Sequence, residues 1–267
     1  MKDYTLSYKG TSLHYRIGGK GGTLLLLHGF TETQDIWNDF SSELSQEYRV
    51  VTVDLPGHGE SGCIGEVHTM ELMAECVKSV LDDAGITNCV MIGHSMGGYV
   101  TLSFAGKYPE MLKGLGLFHS SALADTDEAK VNRTKVIEFI RMNHTSFITT
   151  FIPDLFAPQN RECFKKEIEE LVQAAKKMPP HSIIAAQEGM KDRTDRTDIL
   201  KQATFPVLFI AGKLDSRIPF DKLMQQAALP DDAVILSMGD VAHMGYIESR
   251  DKTLFAVKCF LQGIYNK

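Results

Sequence analysis

The chain has 267 residues, 43% of them hydrophobic, enough to bury a large core as one domain with room for an inserted subdomain. It carries 28 basic and 34 acidic side chains, a net charge of −6, and no block of basic residues, which argues against nucleic acid and anionic membrane surfaces as partners. The polar opening Met1-Lys2-Asp3-Tyr4-Thr5 and the short apolar runs point to a cytoplasmic protein that does not span a bilayer.

The five cysteines (Cys63, Cys76, Cys89, Cys163, Cys259) are odd in number and never spaced Cys-x-x-Cys. They read as buried free thiols in a reducing compartment, so the Asn-x-Thr sequons at Asn132 and Asn143 are chance matches.

In chain order, residues 3–17 alternate loosely around Lys9-Gly10 and predict a hairpin. A glycine-rich turn at 18–22 leads into Thr23-Leu24-Leu25-Leu26-Leu27, an apolar run of the kind buried on both faces of a parallel sheet. It ends in His28-Gly29-Phe30. Residues 35–46 carry a helical face, and Tyr48–Leu55 is a strand ending in Asp54-Leu55-Pro56-Gly57-His58-Gly59-Glu60-Ser61. Residues 69–84 have helical spacing and stop at Gly85. A strand from Asn88, a helix to Tyr108-Pro109 and the strand Leu112–Phe118 follow. This alternation predicts a parallel sheet flanked on both faces by helices.

Residues 121–200 break the rhythm. They read as a helical cap inserted over the sheet's carboxyl edge, with helices over Val131–Met142 and Cys163–Lys177. The charged run Lys191-Asp192-Arg193-Thr194-Asp195-Arg196 reads as a solvated helix end. Alternation then resumes with the strand Pro206–Ala211, a helix over Phe220–Ala228, the strand Ala233–Met238 and a last helix over Arg250–Ile264. The core domain is thus 1–120 with 201–267, and the cap is 121–200.

The chemistry centres on Gly93-His94-Ser95-Met96-Gly97-Gly98, a strand running into a Gly-x-Ser-x-Gly turn and then a helix. Glycines on both flanks make room for a serine pushed out on a tight, strained turn beside a helix N-terminus. A phosphate loop is the competing reading, but no Gly-Lys-Ser/Thr follows. Serine needs a base and an orienter for that base. Among nine histidines, His243 follows the last strand and Asp215 the strand before it, where ligands gather in open α/β sheets. Asp125, after the sixth strand, competes for the acid's role. His58 with Asp54 could suggest a metal pair, but ligand spacings are missing, so no metal and no cofactor are expected.

These motifs, in this order, resemble the α/β-hydrolase fold over essentially the whole chain. The resemblance implies a mostly parallel eight-stranded sheet with a helical cap. It also implies Ser95 as nucleophile, His243 as general base then acid, Asp215 as orienter, and the backbone N–H groups of Phe30 and Met96 as oxyanion hole. His28, His94, His119 and Tyr99 are candidate pocket residues. A serine at this position implies hydrolysis of a small, largely apolar ester or thioester by a monomer or homodimer. A carbon–carbon bond hydrolase and a menaquinone-pathway-type lyase are alternatives; Tyr99 stands where that lyase carries an arginine. A non-catalytic receptor on the same fold is the reading from another class.

Overall fold

The computed structural model describes residues 1–266. It opens with an antiparallel hairpin, β1 (Lys2–Tyr8) and β2 (Thr11–Gly18), turned at Lys9-Gly10. The five residues of β3 (Thr23–Leu27) are all buried, as expected of an apolar run with neighbours above and below. This strand pairs in parallel with β4 (Arg49–Val53) on one side and β5 (Cys89–His94) on the other. Adding β6 (Leu112–Phe118), β7 (Val207–Gly212) and β8 (Ala233–Met238) gives one eight-stranded sheet in the order β1-β2-β4-β3-β5-β6-β7-β8. Only β2 runs against both its neighbours. The α/β class expected from the alternation of strand and helix is the one observed.

The strand order fixes the site's place. After β3 the chain steps outward to β4, then returns past β3 to lay down β5 and everything that follows. The loops leaving β3 and β5 therefore diverge from adjacent positions at the sheet's carboxyl edge and open a crevice between them. His28-Gly29-Phe30 leaves β3 there, and Ser95 leaves β5.

The core helices follow their sequence signals. A short 3-10 turn leads into α1 (Asn38–Leu44). The next helix, α2 (Met70–Asp83), is capped by the Thr69 hydroxyl accepting from the Leu72 N–H, and it gives way to Gly85 at φ 63°. In α3 (Met96–Lys107) every residue from Met96 to Ala105 is buried, because the sheet lies on one side and other helices on the rest. The last three helices are α8 (Phe220–Ala227), α9 (Gly245–Glu248) and α10 (Arg250–Tyr265).

Between β6 and β7 lie α4 (Asp127–Phe151), α5 (Lys165–Lys176), α6 (Pro180–Lys191) and α7 (Thr197–Lys201). The first of these is twice the expected length. It kinks at Asn143, whose non-helical backbone lets its side chain accept from the Ser146 N–H and restart the helix. The charged run after α6 is solvated only in part: Asp192, Thr194 and Asp195 are exposed, whereas its two arginines are not free. Arg193 folds back into the protein, bonds the carbonyls of Leu123 and Met190, and lies 4.2 Å over the Tyr99 ring, while Arg196 reaches Glu71. The five cysteines are free, but Cys163 and Cys259 are exposed where buried thiols were expected. No helix is long and apolar enough to cross a membrane among the described residues.

Candidate active site

Ser95 sits between β5 and α3 with φ 49° and ψ −113°, a backbone conformation side chains rarely adopt. The turn is held by its N–H on the Phe118 carbonyl at 2.9 Å and by the Ser120 hydroxyl on its own carbonyl at 2.7 Å. Glycine is obligatory on both sides. A Cβ at Gly93 would stand 2.2 Å from the Gly97 backbone, and one at Gly97 would stand 2.6 Å from the Leu27 carbonyl oxygen.

His243 and Asp215 meet although 28 positions separate them, because β7 and β8 are adjacent and both loops leave the same edge. The His243 Nδ1–H donates to Asp215 Oδ2 at 2.8 Å, which makes Nε2 the acceptor nitrogen. Ser95, His243 and Phe30 line one cavity of about 450 Å³. The rival acid, Asp125, is elsewhere in that cavity, gripped by Arg133 and by Arg193 at 2.5 Å.

Asp215 is buried and fully engaged. Oδ1 accepts the N–H groups of Arg217 and Ile218 at 2.8 and 3.0 Å, while Oδ2 accepts from His243 and also from His119 at 3.1 Å. Burial pushes its pKa up, but His243 beside it and the bonds from His119 and His243 outweigh this and hold it well below the usual carboxylate range. The carboxylate is thus a fixed negative charge. These three side chains are also the group of His and Asp closest to a metal-binding constellation among the described residues. Each ring Nδ1 is already engaged by the shared oxygen, an arrangement that hydrogen bonding accounts for.

A second buried network lies behind the first. His94 contacts Glu32 Oε2 through Nδ1 at 2.9 Å and the His243 carbonyl through Nε2 at 3.0 Å. Both partners are acceptors, so both ring nitrogens carry protons and His94 is an imidazolium. Burial alone would lower its pKa; the Glu32 carboxylate reverses the sign and raises it. Glu32 also accepts the Gly29 N–H at 2.6 Å and the Tyr246 hydroxyl at 3.0 Å. One ion pair therefore ties the loop after β3 to the backbone of His243.

The other candidates fall in different places. His94 and Tyr99 line the cavity. His28 does not; it is fully buried, donating to the Gly29 carbonyl at 2.7 Å and accepting the Leu55 N–H at 2.9 Å, and so staples the loops after β3 and β4. His119 lies behind Asp215, not on the cavity. Asp54 and His58 do not pair. Asp54 accepts from Gln34 and Glu60, and His58 contacts the Pro56 carbonyl, so that motif shapes a loop. Glu32, Tyr246, Arg133, Arg193 and Arg217 carry no local pattern that marks them in the sequence; only the fold brings them to the site. The lining mixes Phe30, Phe151 and Leu155 with arginines and amides.

Three buried histidines predict acid sensitivity. Burial lowers His58 to about 3, with His28 adding to it; burial and His181 lower His68 to about 4; burial lowers His119 to about 4 against Asp215. The folded protein keeps all three neutral below pH 6.5, whereas the unfolded chain takes up their protons there. Their contribution to stability is therefore full above pH 6.5 and falls as pH drops toward 4, by roughly 1.4 kcal/mol per pH unit for each histidine. The raised His94 contributes nothing to this slope, being protonated in both states below 6.5. Urea unfolding at pH 7.5 and pH 5 should show a marked drop in midpoint; a flat profile would contradict these burials.

Comparison with known proteins agrees with this architecture. A family model described as alpha/beta hydrolase fold matches residues 22–249. The chain belongs to that family. Among solved structures it superposes on a thermophilic esterase from Thermogutta terrifontis with TM-score 0.93 and 31% identity, covering 99% of this chain and 100% of that one. Among curated proteins it is 28% identical to the dihydrolipoyllysine-residue acetyltransferase component of an acetoin cleaving system from Pseudomonas putida, over 93% of this chain but 66% of that protein. It is also 26% identical to the pimeloyl-[acyl-carrier protein] methyl ester esterase of Aliivibrio fischeri (strain MJ11), over 94% of this chain and 98% of that one.

Proposed function

We propose that this protein hydrolyses small carboxylic esters or thioesters through an acyl-enzyme on Ser95. The observation that carries the reading is a serine on a strained strand-to-helix turn sharing a cavity with an imidazole whose Nδ1–H is held by a buried carboxylate. The two esterase names among the relatives support it.

In this mechanism His243 Nε2 takes the Ser95 hydroxyl proton as Oγ adds to the ester carbonyl. Asp215 keeps the ring in the tautomer that can do so and stabilises the imidazolium that forms. Negative charge developing on the carbonyl oxygen is met by the N–H groups of Phe30 and Met96. The latter is one of the N-terminal donors of α3, which have no intrahelical partner. As the carbon–oxygen bond breaks, His243 returns the proton to the leaving alcohol. Water then enters, loses a proton to His243 and releases the acid, restoring Ser95.

Residues 121–200 act as a cap that sets specificity: Arg133, Val136, Phe151, Leu155, Gln187 and Met190 all come from it and line the Ser95 cavity. The free thiols support a cytoplasmic setting, and the partner is a small molecule with no cofactor.

Hydrolysis of p-nitrophenyl acetate, butyrate and octanoate tests the reading. Repeated turnover, blocked by prior treatment with a fluorophosphonate, is expected, and the chain-length profile sizes the pocket. Ligand binding with at most a single turnover would favour the receptor reading instead.

A further inference from the structure

The Ser95 cavity is charged in a way the whole chain is not. The protein carries a net −6, yet Arg133, Arg193, Arg217 and Lys222 line this cavity against two carboxylates, Asp125 and Glu32. Both carboxylates already have partners. Glu32 is paired with His94, and Asp125 lies between Arg133 and Arg193. That leaves Arg217 and Lys222 with no acidic side chain at ion-pair distance among the described residues.

The two groups of cations are built differently. Arg193 is immobilised as wall: its face lies on Tyr99, Nε bonds the Leu123 carbonyl at 3.1 Å, and Nη1 bonds the Met190 carbonyl at 3.0 Å as well as Asp125. Arg217 is anchored without being saturated. Its backbone N–H is held by Asp215 Oδ1 at 2.8 Å, and its guanidinium stands 5.1 Å over the Phe151 ring, which in turn is 5.7 Å from Phe30. Its guanidinium N–H donors, the groups that recognise a carboxylate or phosphate, have no hydrogen-bond or ion-pair partner among the described residues. Lys222 stands in the first turn of α8, five residues on, and its carbonyl is tied to Gln226, whose Oε1 is fixed by Ser121 and Ala122.

We propose that Arg217 and Lys222 bind an anionic group, carboxylate or phosphate, that the substrate carries away from its scissile ester. This rests on the ester-hydrolase reading and names its substrate class: esters with one free acid, such as half-esters of dicarboxylic acids, not the apolar esters the sequence suggested. A neutral ester leaves both cations facing water, whereas an anionic one gains two charge-assisted contacts in a partly enclosed cavity.

The test compares kcat/KM for mono-p-nitrophenyl succinate and p-nitrophenyl butyrate, which differ by a carboxylate in place of a methyl group. The wild type should prefer the succinate at least about tenfold at low ionic strength. The double variant Arg217→Gln, Lys222→Gln should lose about 10- to 100-fold of that ratio, and the control Lys20→Gln should keep it. A wild-type ratio near one, or a ratio unmoved in the double variant, overturns the proposal.

Failure of the ester reading is separable. Calorimetric titration of Ser95→Ala protein with monomethyl succinate and with inorganic phosphate reads anion binding without turnover. Binding that disappears when Arg217→Gln and Lys222→Gln are added supports the site even if neither ester is hydrolysed. Binding of the succinate alone assigns a carboxylate, and binding of phosphate alone assigns a phosphate. No binding of either sinks it.

Discussion

Ser95→Ala and His243→Ala should each lower kcat for p-nitrophenyl butyrate by about 10⁵- to 10⁶-fold, and the double variant should be no worse than either. The reason is that the two side chains act as one device. Without His243 the Ser95 hydroxyl keeps its proton and is a weak nucleophile; without Ser95 the imidazole has no proton to take. Residual hydrolysis would come from binding and from the N–H groups near Phe30 and Met96, which neither substitution removes. Additive losses in the double variant would mean that the two residues work independently. Because Ser95 occupies a strained turn supported by Ser120 and Phe118, alanine there should preserve the fold, and an unchanged urea midpoint checks this.

Asp215→Asn should cost about 10⁴-fold in kcat/KM on the same ester, while protein level and cavity shape persist. The carboxylate uses Oδ2 to accept from two imidazoles at once. An amide offers one accepting oxygen and one donating nitrogen, so it cannot satisfy both rings in their present tautomers. If its nitrogen faces His243, Nδ1 must become the acceptor and Nε2 the donor, the wrong arrangement for taking a proton from Ser95. His119 makes the case sharper here, since burial lowers its pKa to about 4, so it is neutral at assay pH, and it competes for the same oxygen. A loss below tenfold would show that Asp215 does not orient the base.

The sheet and the motif-bearing loops were legible because each rests on a local rule. A continuous apolar run such as Leu24–Leu27 suits a strand buried on both faces, and Gly93-x-Ser95-x-Gly97 marks a turn in which backbones nearly touch. Asp215 and His243 could be named because both follow strands in the expected order. The supporting groups had no such rule. Glu32 is an ordinary loop glutamate until β3 and β5 become neighbours and bring His94 to it. Arg193 sits in a run of alternating charges, and only the packing of α4 against α6 turns it inward onto Tyr99 and Asp125. The long kinked helix α4 was missed for a related reason: its apolar positions are few, and Asn143 interrupts the pattern.

The shape of the site also separates two kinds of motif residue. His28 and Asp54 belong to family patterns yet spend their hydrogen bonds on loop backbone and, for Asp54, on the Gln34 amide as well, which fixes loops. Ser95 and His243 keep atoms free at the cavity instead. A motif match alone does not tell these apart; the hydrogen-bond partners do.

The measurement that tests the central claim most directly is mapping the covalent adduct of a fluorophosphonate by peptide mass spectrometry on the intact protein. The account predicts a single adduct on the peptide containing Ser95, formed in step with loss of ester turnover and absent from Ser95→Ala. Turnover that survives full treatment, or an adduct on another residue that accounts for the lost activity, would contradict it.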